Sequence, residues 1–183
     1  KVVHVHRKIN LATYGLLEDG KHFAPGRYVE TFPIGYHWRA ATLICNDLWN
    51  PALVNLAALH GATVLLAPVS SAREAVGPEF DNPSGWETAC RYTAMVYGMP
   101  VIFVNRIGTE RALSFWGGSR VVDPFGRNVA DAKDNNGLLV AELCYGDVRK
   151  ARSLLPTVRD SNLDLIVRET TRLQQILGVP ETV

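Results

Sequence analysis

Ala40-Ala-Thr-Leu-Ile-Cys-Asn-Asp-Leu-Trp-Asn-Pro-Ala52 is the stretch that decides the fold, because it joins a short apolar run to a polar turn and a proline. Residues 42–44 have the β-branched and aliphatic side chains of a buried strand. Asn50 predicts the N-cap of a helix with Pro51 in its first turn, where the missing N–H costs no hydrogen bond. Cys45 is therefore expected on the tight connection between strand and helix, where an α/β fold exposes reactive side chains beside free backbone N–H groups.

Two interpretations of Cys45 compete at this point. Free cysteines are among the most buried residue types, so a packed and inert thiol is the commoner case. A nucleophilic thiol needs access to solvent or substrate and a lowered pKa, and both depend on residues elsewhere in the chain.

The residues after Cys45 predict a β–α–β unit. Apolar residues at helical spacing begin at Pro51 and stop at Gly61, which is well placed to end the helix. Residues 62–67 are nearly all apolar, as expected for a strand that is covered on both faces. Residues 101–105 predict a further buried strand. This order of elements indicates an α/β fold with helices on both sides of its sheet.

The remaining elements are predicted from the same kinds of pattern. Ser84 and Glu87 match a capping box at the start of a long helix that carries Trp86 and Cys90 on one face. Further strands are expected at residues 2–6, 28–34, 40–45, 120–132 (with a turn) and 138–145. Helices are expected at residues 147–155 and 162–177, with Gly178 and Pro180 as stop signals. Cys90 and Cys144, the latter in or at the end of the last strand, are interpreted as structural.

Length and composition restrict the class of protein. A chain of 183 residues with 47% hydrophobic content can bury one sizeable core, so a single domain is expected. Lys and Arg total 19 and Asp and Glu total 18, which leaves no net field for nucleic acid or an anionic membrane. Three widely spaced cysteines favour a reducing compartment, the cytoplasm, over a disulfide framework. No apolar run approaches the roughly 20 residues of a membrane helix, and no signal peptide is visible.

A metal site is not expected. His4 and His6 would lie on one face of the first strand, but no third ligand is close in sequence. Solvated or core histidines are the better interpretation, and we expect neither a metal nor an organic cofactor.

Two features upstream of Cys45 carry charge that a nucleophilic thiol needs. Lys8 lies at the end of the first predicted strand, and the acidic pair Glu18-Asp19 lies in a Gly-rich loop. An ammonium close to a thiol lowers the pKa of that thiol and can stabilise an oxyanion. A carboxylate near the lysine would fix its position and keep it charged. As isolated residues, however, charged side chains in loops are usually solvated.

The strings around these residues resemble the nitrilase, or carbon–nitrogen hydrolase, superfamily. The resemblance covers nearly the whole chain in the right order, and the strings are specific together although each is modest alone. They are His6-Arg-Lys-Ile-Asn-Leu11, Tyr14 to Gly26 (Tyr-Gly-Leu-Leu-Glu-Asp-Gly-Lys-His-Phe-Ala-Pro-Gly), Leu43 to Pro51, Gly61 to Pro68, Pro100 to Gly108 and Phe115 to Gly126.

This resemblance implies a four-layer αββα sandwich and a mechanism. In that family a Cys nucleophile, a Lys and a Glu act on an amide, carbamoyl or nitrile carbon. The cysteine matches Cys45 and the lysine matches Lys8. Cys45 would attack the substrate carbon and release ammonia or an amine, and water would hydrolyse the thioester. Lys8 and the backbone N–H of Asn46 would hold the oxyanion.

The chain departs from the family pattern in two places. The family's general-base Glu lies well upstream of the lysine motif, whereas this chain begins seven residues before Lys8, without a methionine. We therefore expect a fragment that is incomplete at its N-terminus and inactive alone, from a parent that is active. Many members also carry a supporting Glu before the Phe-x-Pro-Gly segment. That register falls on Asp19, whereas Glu18 has the matching chemistry, so the choice stays open.

Weaker interpretations concern residues near the site. Asp47 resembles a frequent family residue and would either orient the site or cap the helix. Asn105 is interpreted as structural. Three large aromatic residues could line the substrate pocket, although such residues more often belong to a core: Trp49, Trp86 and Trp116.

The leading hypothesis is a cofactor-free hydrolase of non-peptide carbon–nitrogen bonds that acts on a small amide, carbamoyl or nitrile substrate. One alternative is a non-catalytic relative or fragment that serves as an assembly module. Another is a glutaminase-type ammonia donor, as in glutamine-dependent NAD synthetases, because the spacing in the Tyr14 string is similar to that branch. Residues 1–183 are expected to form a single truncated domain with residues 146–183 as a helical tail. Residues 146–177 are expected at the interface of a homodimer or larger homo-oligomer.

Overall fold

A six-stranded mixed sheet forms the centre of the fold in the computed structural model, which describes residues 1–178. The strands of the described chain are β1 (Thr31–Gly35), β2 (Trp38–Thr42), β3 (Val64–Val69), β4 (Val101–Asn105), β5 (Ile107–Glu110), β6 (Leu113–Trp116), β7 (Arg120–Val122) and β8 (Asn128–Asp131). The helices are α1 (Pro51–Leu59), α2 (Asn82–Tyr97), α3 (Tyr145–Leu154) and α4 (Leu163–Leu177), and short 3₁₀ turns cover Asp19–Lys21 and Cys45–Trp49.

The sheet has the order β1-β2-β3-β4-β7-β8, and β5 pairs with β6 in a separate hairpin. β2, β3 and β4 run parallel, in a register that pairs Ala41 with Leu65 and Leu66 with Ile102. β1, β7 and β8 are antiparallel to their neighbours. Because α1 connects β2 to β3 and α2 connects β3 to β4, the predicted β–α–β unit is confirmed and repeated once.

The two central helices begin at strong side-chain caps. α1 starts as predicted, because the Asn50 side chain accepts a hydrogen bond from the Ala52 N–H. The capping box predicted at Ser84 is wrong, since α2 begins at Asn82 and its cap is the Asp81 carboxylate, which accepts from the Ser84 N–H. Asp81 wins because a carboxylate is a strong N-cap and the following proline is tolerated in a first helical turn.

α1, α2 and the sheet share one core. Leu65 and Phe103 from the strands meet Trp86 and Cys90 from α2, and all four are at most 2% exposed. The structural interpretation of Cys90 is therefore confirmed, and burial raises the pKa of its thiol to about 12.

Two predicted strands are absent from the described residues. Residues 2–6 pair with no strand, and Val2 and Val3 are about three-quarters exposed. Residues 138–144 are also irregular, with Leu138 92% exposed. Cys144 is exposed at the N-cap of α3, so its placement in a strand is wrong. β-branched residues favour a strand, but an alternating pattern does not supply the partner that a strand requires.

The chain continues from α3 into a second helix. The Arg152 guanidinium in α3 donates to the carbonyls of Ala62 and Tyr97, which joins α3 to the ends of α1 and α2. α4 begins after Asn162, whose side chain accepts from the Leu165 N–H, and ends at Gly178 in the left-handed conformation. The rest of the predicted tail, with Pro180, lies outside the described residues. Within residues 1–178, no helix combines the length and the apolar character needed to cross a membrane.

Candidate active site

Cys45 lies on the connection between β2 and α1, as the sequence predicts. It opens the 3₁₀ turn Cys45–Trp49 with a φ of +50°, in the left-handed region that non-glycine residues rarely adopt. Such a conformation costs on the order of 1–3 kcal/mol and is maintained only where the surroundings fix it. β2 ends at Thr42, three residues before the thiol, so the predicted strand over residues 40–45 is too long at its end.

Asp47 supplies that fixation. Its carboxylate is fully buried and accepts backbone N–H bonds from Ile9 at 3.0 Å, Asn10 at 2.6 Å and Ile44 at 3.1 Å. The Ile44 bond caps the Cys45 turn, and the other two bring the segment after Lys8 against that turn. Asp47 therefore caps the 3₁₀ turn, whereas the helix α1 that follows is capped by Asn50.

Asp47→Ala is expected to lower the free energy of unfolding by about 3 kcal/mol, because three partly buried N–H groups lose the carboxylate that accepts from them. Urea denaturation measures the change. Asp134→Ala removes an exposed carboxylate and should leave stability within about 0.5 kcal/mol of the wild type. An Asp47 variant as stable as this control would show that Asp47 does not hold the turn.

Lys8 forms an ion pair with Asp19. Asp19 Oδ2 accepts a hydrogen bond from Lys8 Nζ and another from the Ala12 N–H at 3.0 Å. Burial tends to raise the pKa of Asp19, but these two bonds outweigh it and hold the pKa below the usual value. Glu18 instead pairs with Lys21 on the surface. The structure thus brings Asp19, and not Glu18, to Lys8.

Asn46 holds the turn from its other side. Its side chain accepts from the Tyr14 hydroxyl at 2.9 Å and donates to the Asn10 carbonyl at 3.2 Å. These two bonds fix the position of Asn46, whose backbone N–H lowers the pKa of the neighbouring thiol.

The pKa of the Cys45 thiol reflects opposing effects. Burial raises it, whereas the Lys8 ammonium and the backbone N–H groups of Ser70 and Asn46 lower it, and the Asp19 carboxylate raises it again. The net pKa lies above the usual value for a cysteine, because burial, the largest of these effects, outweighs the lowering by Lys8 and the two N–H groups. At neutral pH the resting thiol is therefore protonated, and its proton must be removed for attack.

Cys45, Lys8 and Asp19 open into one cavity of about 630 Å³. Ser70, in the loop after β3, lines the same cavity. Much of the remaining wall is apolar and comes from residues near Lys8 and Asp19 and from the residue before Cys45: Leu11, Ala12, Leu17, Phe23, Ala24 and Ile44. The volume suits a small molecule, with charged and hydrogen-bonding groups at one point and an apolar surface around it.

The three tryptophans lie elsewhere. Trp86 is a core residue, 2% exposed, whose indole N–H donates to Ser71 Oγ at 3.0 Å. Trp49 packs on Trp86 and Phe80, with ring centroids 4.6 and 6.0 Å away. Trp116, in β6, packs against the same core. The structure therefore does not bring any of them into the wall of the Cys45 cavity, since their large apolar surfaces are used in packing.

His4 and His6 are not joined by further metal-binding side chains, and within residues 1–178 no group of three potential ligands is present. The His4 ring stacks on Phe32, with centroids 4.4 Å apart. His6 lines the cavity, and its Nε2 lies 3.6 Å from Asp47 Oδ2.

Sequence reasoning missed Ser70. A signal existed, because the residue directly follows β3, and the carboxyl ends of parallel strands are where α/β folds place their sites. The adjacent Ser71 was likewise not connected to the site from the sequence, and the buried Asn105 was interpreted as structural in preference to facing the site.

Fold and site together define a cysteine-containing α/β protein with a lysine–carboxylate pair beside the thiol. The carbon-nitrogen hydrolase family matches residues 1–153, and the chain belongs to that family. The nitrilase-type α/β fold predicted from the sequence is shown by the solved structures that it resembles.

Individual relatives differ in kind. The chain is 31% identical over 127 residues to a glutamine-dependent NAD(+) synthetase of Thermotoga maritima. The aligned region covers 69% of this chain and 21% of the synthetase. A carbon-nitrogen hydrolase from Helicobacter pylori G27 superposes with a TM-score of 0.81 and 28% identity, over 90% of this chain and 60% of that one.

A third similar protein is an amidase with a modified active site cysteine. It is a mutant of the amidase from Nesterenkonia sp. AN1, described as showing the Michael addition of acrylamide at the active site cysteine. Its TM-score is 0.70 with 28% identity, over 88% of this chain and 56% of the amidase. The chain thus spans less than two thirds of the length of each of these three proteins.

Proposed function

We propose that the protein hydrolyses a non-peptide carbon–nitrogen bond of a small amide, carbamoyl or nitrile substrate through a thioester on Cys45. The observation that supports this most is that Cys45 and Lys8 open into one cavity and that the backbone N–H groups of Ser70 and Asn46 act on the same thiol. Membership of the carbon-nitrogen hydrolase family and the similarity to an amidase give the reaction class.

For an amide, the reaction has two halves. Cys45 Sγ loses its proton and forms a bond to the carbonyl carbon, whose oxygen becomes an oxyanion beside Lys8 and the Asn46 N–H. The carbon–nitrogen bond then breaks, the nitrogen takes up a proton, and ammonia or an amine leaves. Water adds to the thioester carbon, and the acid departs as the thiol recovers its proton.

Asp19 acts on this reaction through Lys8. A carboxylate bound to the ammonium fixes its position and keeps it charged. Asp19 is the only carboxylate among the described residues that line the cavity, and it is occupied by Lys8. By resemblance to the family, whose general base is a carboxylate, we propose that the base for Cys45 lies outside residues 1–178 and that residues 1–183 alone do not turn over amides.

Mass spectrometry of the full-length gene product, incubated with a panel of amides, carbamoyl compounds and nitriles, tests the thioester. We expect an acyl adduct on the peptide that contains Cys45, together with ammonia or amine release from the same compound. Product release without any adduct on Cys45 under rapid quenching, or adducts only on the exposed Cys144, would contradict the proposal.

A second candidate is a glutaminase-type ammonia donor. The similarity to a glutamine-dependent NAD(+) synthetase favours it. The same panel separates the two, because this candidate requires glutamine to be the preferred amide and the first candidate does not. A non-catalytic assembly module would give neither adduct nor product.

We further propose that the protein is a homodimer or larger homo-oligomer with the C-terminal helices at an interface. α4 exposes an apolar face, in which Ile166, Leu173 and Leu177 are 39%, 46% and 70% exposed. A second copy of this chain is the partner that we expect on this face, by resemblance to the family. The free thiols, one of them exposed, further suggest a reducing compartment such as the cytoplasm.

Ile166→Glu with Leu173→Glu is expected to convert the oligomer to a monomer in analytical ultracentrifugation, because two charges would be buried without partners. Gln175→Glu adds charge to α4 outside this face and should leave the oligomer intact. A wild-type monomer, or an unchanged oligomer in the double variant, would contradict this role of α4.

A further inference from the structure

Several hydrogen bonds of the loop that follows β3 meet at Ser71, which is 6% exposed. Its backbone N–H donates to Asn105 Oδ1 at 2.9 Å, and its carbonyl accepts from Asn105 Nδ2 at 3.3 Å. Asn105 Nδ2 also donates to the Gly117 carbonyl at 2.9 Å. The carboxamide at the end of β4 therefore replaces the strand pairing that this part of the loop lacks.

Two more side chains bind the hydroxyl of the same serine. Ser71 Oγ accepts from Asn82 Nδ2 at 2.8 Å and from Trp86 Nε1 at 3.0 Å, both at the start of α2. Asn82 Nδ2 also donates to the Ala72 carbonyl at 2.7 Å. Asn82 and Trp86 are at most 2% exposed, so the network is shielded from water.

Burying a polar network of this kind costs folding free energy, so its presence indicates that it fixes a specific geometry. Each buried polar group loses its hydration, and an apolar core at the same place would not carry that loss. The rest of the loop from Arg73 to Phe80 has no helix or strand of its own. That part of the loop is fixed to β6, where the Arg73 N–H donates to the Ser114 carbonyl at 2.9 Å, whereas the Ser71 network lies beside the residue that lines the cavity.

Ser70 is the residue that this network places. It precedes Ser71 directly and lines the Cys45 cavity, and its backbone N–H acts on the Cys45 thiol, as the backbone N–H of Asn46 does. A backbone N–H has no rotamer of its own, so its direction depends on how the adjacent peptide groups are held.

We propose that Ser70 is a further catalytic residue, acting through its backbone N–H as a second donor to the Cys45 sulfur, and that Asn82, Trp86 and Asn105 are positioning residues acting through Ser71. The inference rests on the proposed function in taking Cys45 as the nucleophile. The donor favours the thiolate that attacks the substrate, and it compensates in part for the burial of the sulfur.

The alternative is that the network only closes the core above β3 and β4. In that case its loss lowers stability and leaves the chemistry of Cys45 unchanged. The two cases differ in the pH dependence of thiol reactivity, which requires neither substrate nor turnover.

Ser71→Ala tests the proposal, because it removes the acceptor of Asn82 and Trp86 and leaves Ser70 itself intact. The readout is the rate of alkylation by iodoacetamide as a function of pH, followed on the Cys45 peptide by mass spectrometry. We expect the midpoint of this profile to rise and the rate at neutral pH to fall about three- to tenfold. Ser71→Thr keeps the hydroxyl and should restore the wild-type profile, and Ser84→Ala, on the exposed face of α2, should not change it.

Urea denaturation of each variant shows whether a change in the alkylation profile is accompanied by a change in the free energy of unfolding. If Ser71→Ala fails to fold, Trp86→Phe removes a single donor and gives the same test with a smaller shift. A variant that loses stability with an unchanged alkylation profile, or whose midpoint falls, would overturn the proposal. Absence of any acyl adduct or product would overturn the proposed function instead, and it would leave the alkylation result standing.

Discussion

Cys45→Ala is expected to abolish release of ammonia or amine by the full-length gene product, with a loss of at least about 10⁴-fold in kcat. The reason is that no other group in the cavity is a nucleophile of comparable strength, so the covalent route closes. Folding should be retained, because alanine has the same backbone restrictions at a φ of +50° and removes only one partly buried atom. Ammonia release and urea denaturation are the two measurements.

Two matched variants sharpen this experiment. Cys45→Ser keeps the shape of the side chain but is a weaker nucleophile, so activity should also be lost while the fold stays intact. Cys144→Ala removes an exposed thiol outside the cavity and should leave activity unchanged. Turnover by Cys45→Ala at the wild-type rate would eliminate the thioester mechanism.

Asp19→Asn is expected to change thiol reactivity and catalysis in opposite directions. The negative charge of the Asp19 carboxylate raises the pKa of Cys45. Its removal therefore lowers the pKa of the thiol and increases the thiolate fraction at neutral pH. Alkylation of Cys45 by iodoacetamide should become about three- to tenfold faster. Hydrolysis should become about 100-fold slower, because Lys8 loses the partner that orients it.

Glu18→Gln is the matched control for Asp19→Asn. It removes a neighbouring carboxylate that pairs with Lys21 on the surface, and it should leave both rates close to wild type. Slower alkylation in Asp19→Asn, or equal losses of hydrolysis in the two variants, would contradict the assignment of Asp19 to Lys8.

The same ion pair predicts a pH dependence of stability. The pKa of Asp19 is lower in the folded protein than its usual value, so the pair stabilises the fold above the usual pKa. That contribution disappears as the pH falls through the lowered pKa. Asp19→Asn should therefore be less stable than the wild type at neutral pH, with a difference that narrows as the solution becomes acidic, as measured by urea denaturation across pH.

The elements that could be predicted from the sequence are those set by local chemistry. Asn50 and Pro51 determine where α1 begins, and the apolar run before Val69 determines β3. The strand predicted at residues 2–6 failed because pairing depends on a neighbour that no local pattern contains. α2 begins earlier than predicted because two capping signals overlap and the carboxylate of Asp81 is used.

In the candidate site, too, some residues could be identified from the sequence and others required the three-dimensional structure. The resemblance identified Cys45 and Lys8, but the choice between Glu18 and Asp19 required the loop's three-dimensional path, since adjacent residues point in different directions. The tryptophans were ambiguous because a large aromatic side chain suits a pocket and a core equally well in sequence. Ser70 was missed because a backbone donor leaves almost no trace in residue type.

The position of Asp47 has a consequence for when the thiol becomes reactive. Its bonds to Ile9 and Asn10 join residues 38 and 37 positions apart in the chain, so Lys8 reaches Cys45 only after distant segments have docked. During synthesis or refolding, the thiol therefore has the chemistry of an ordinary cysteine. Its specialised environment forms together with the tertiary structure, so the Lys8 ammonium reaches the thiol only in a chain that has folded.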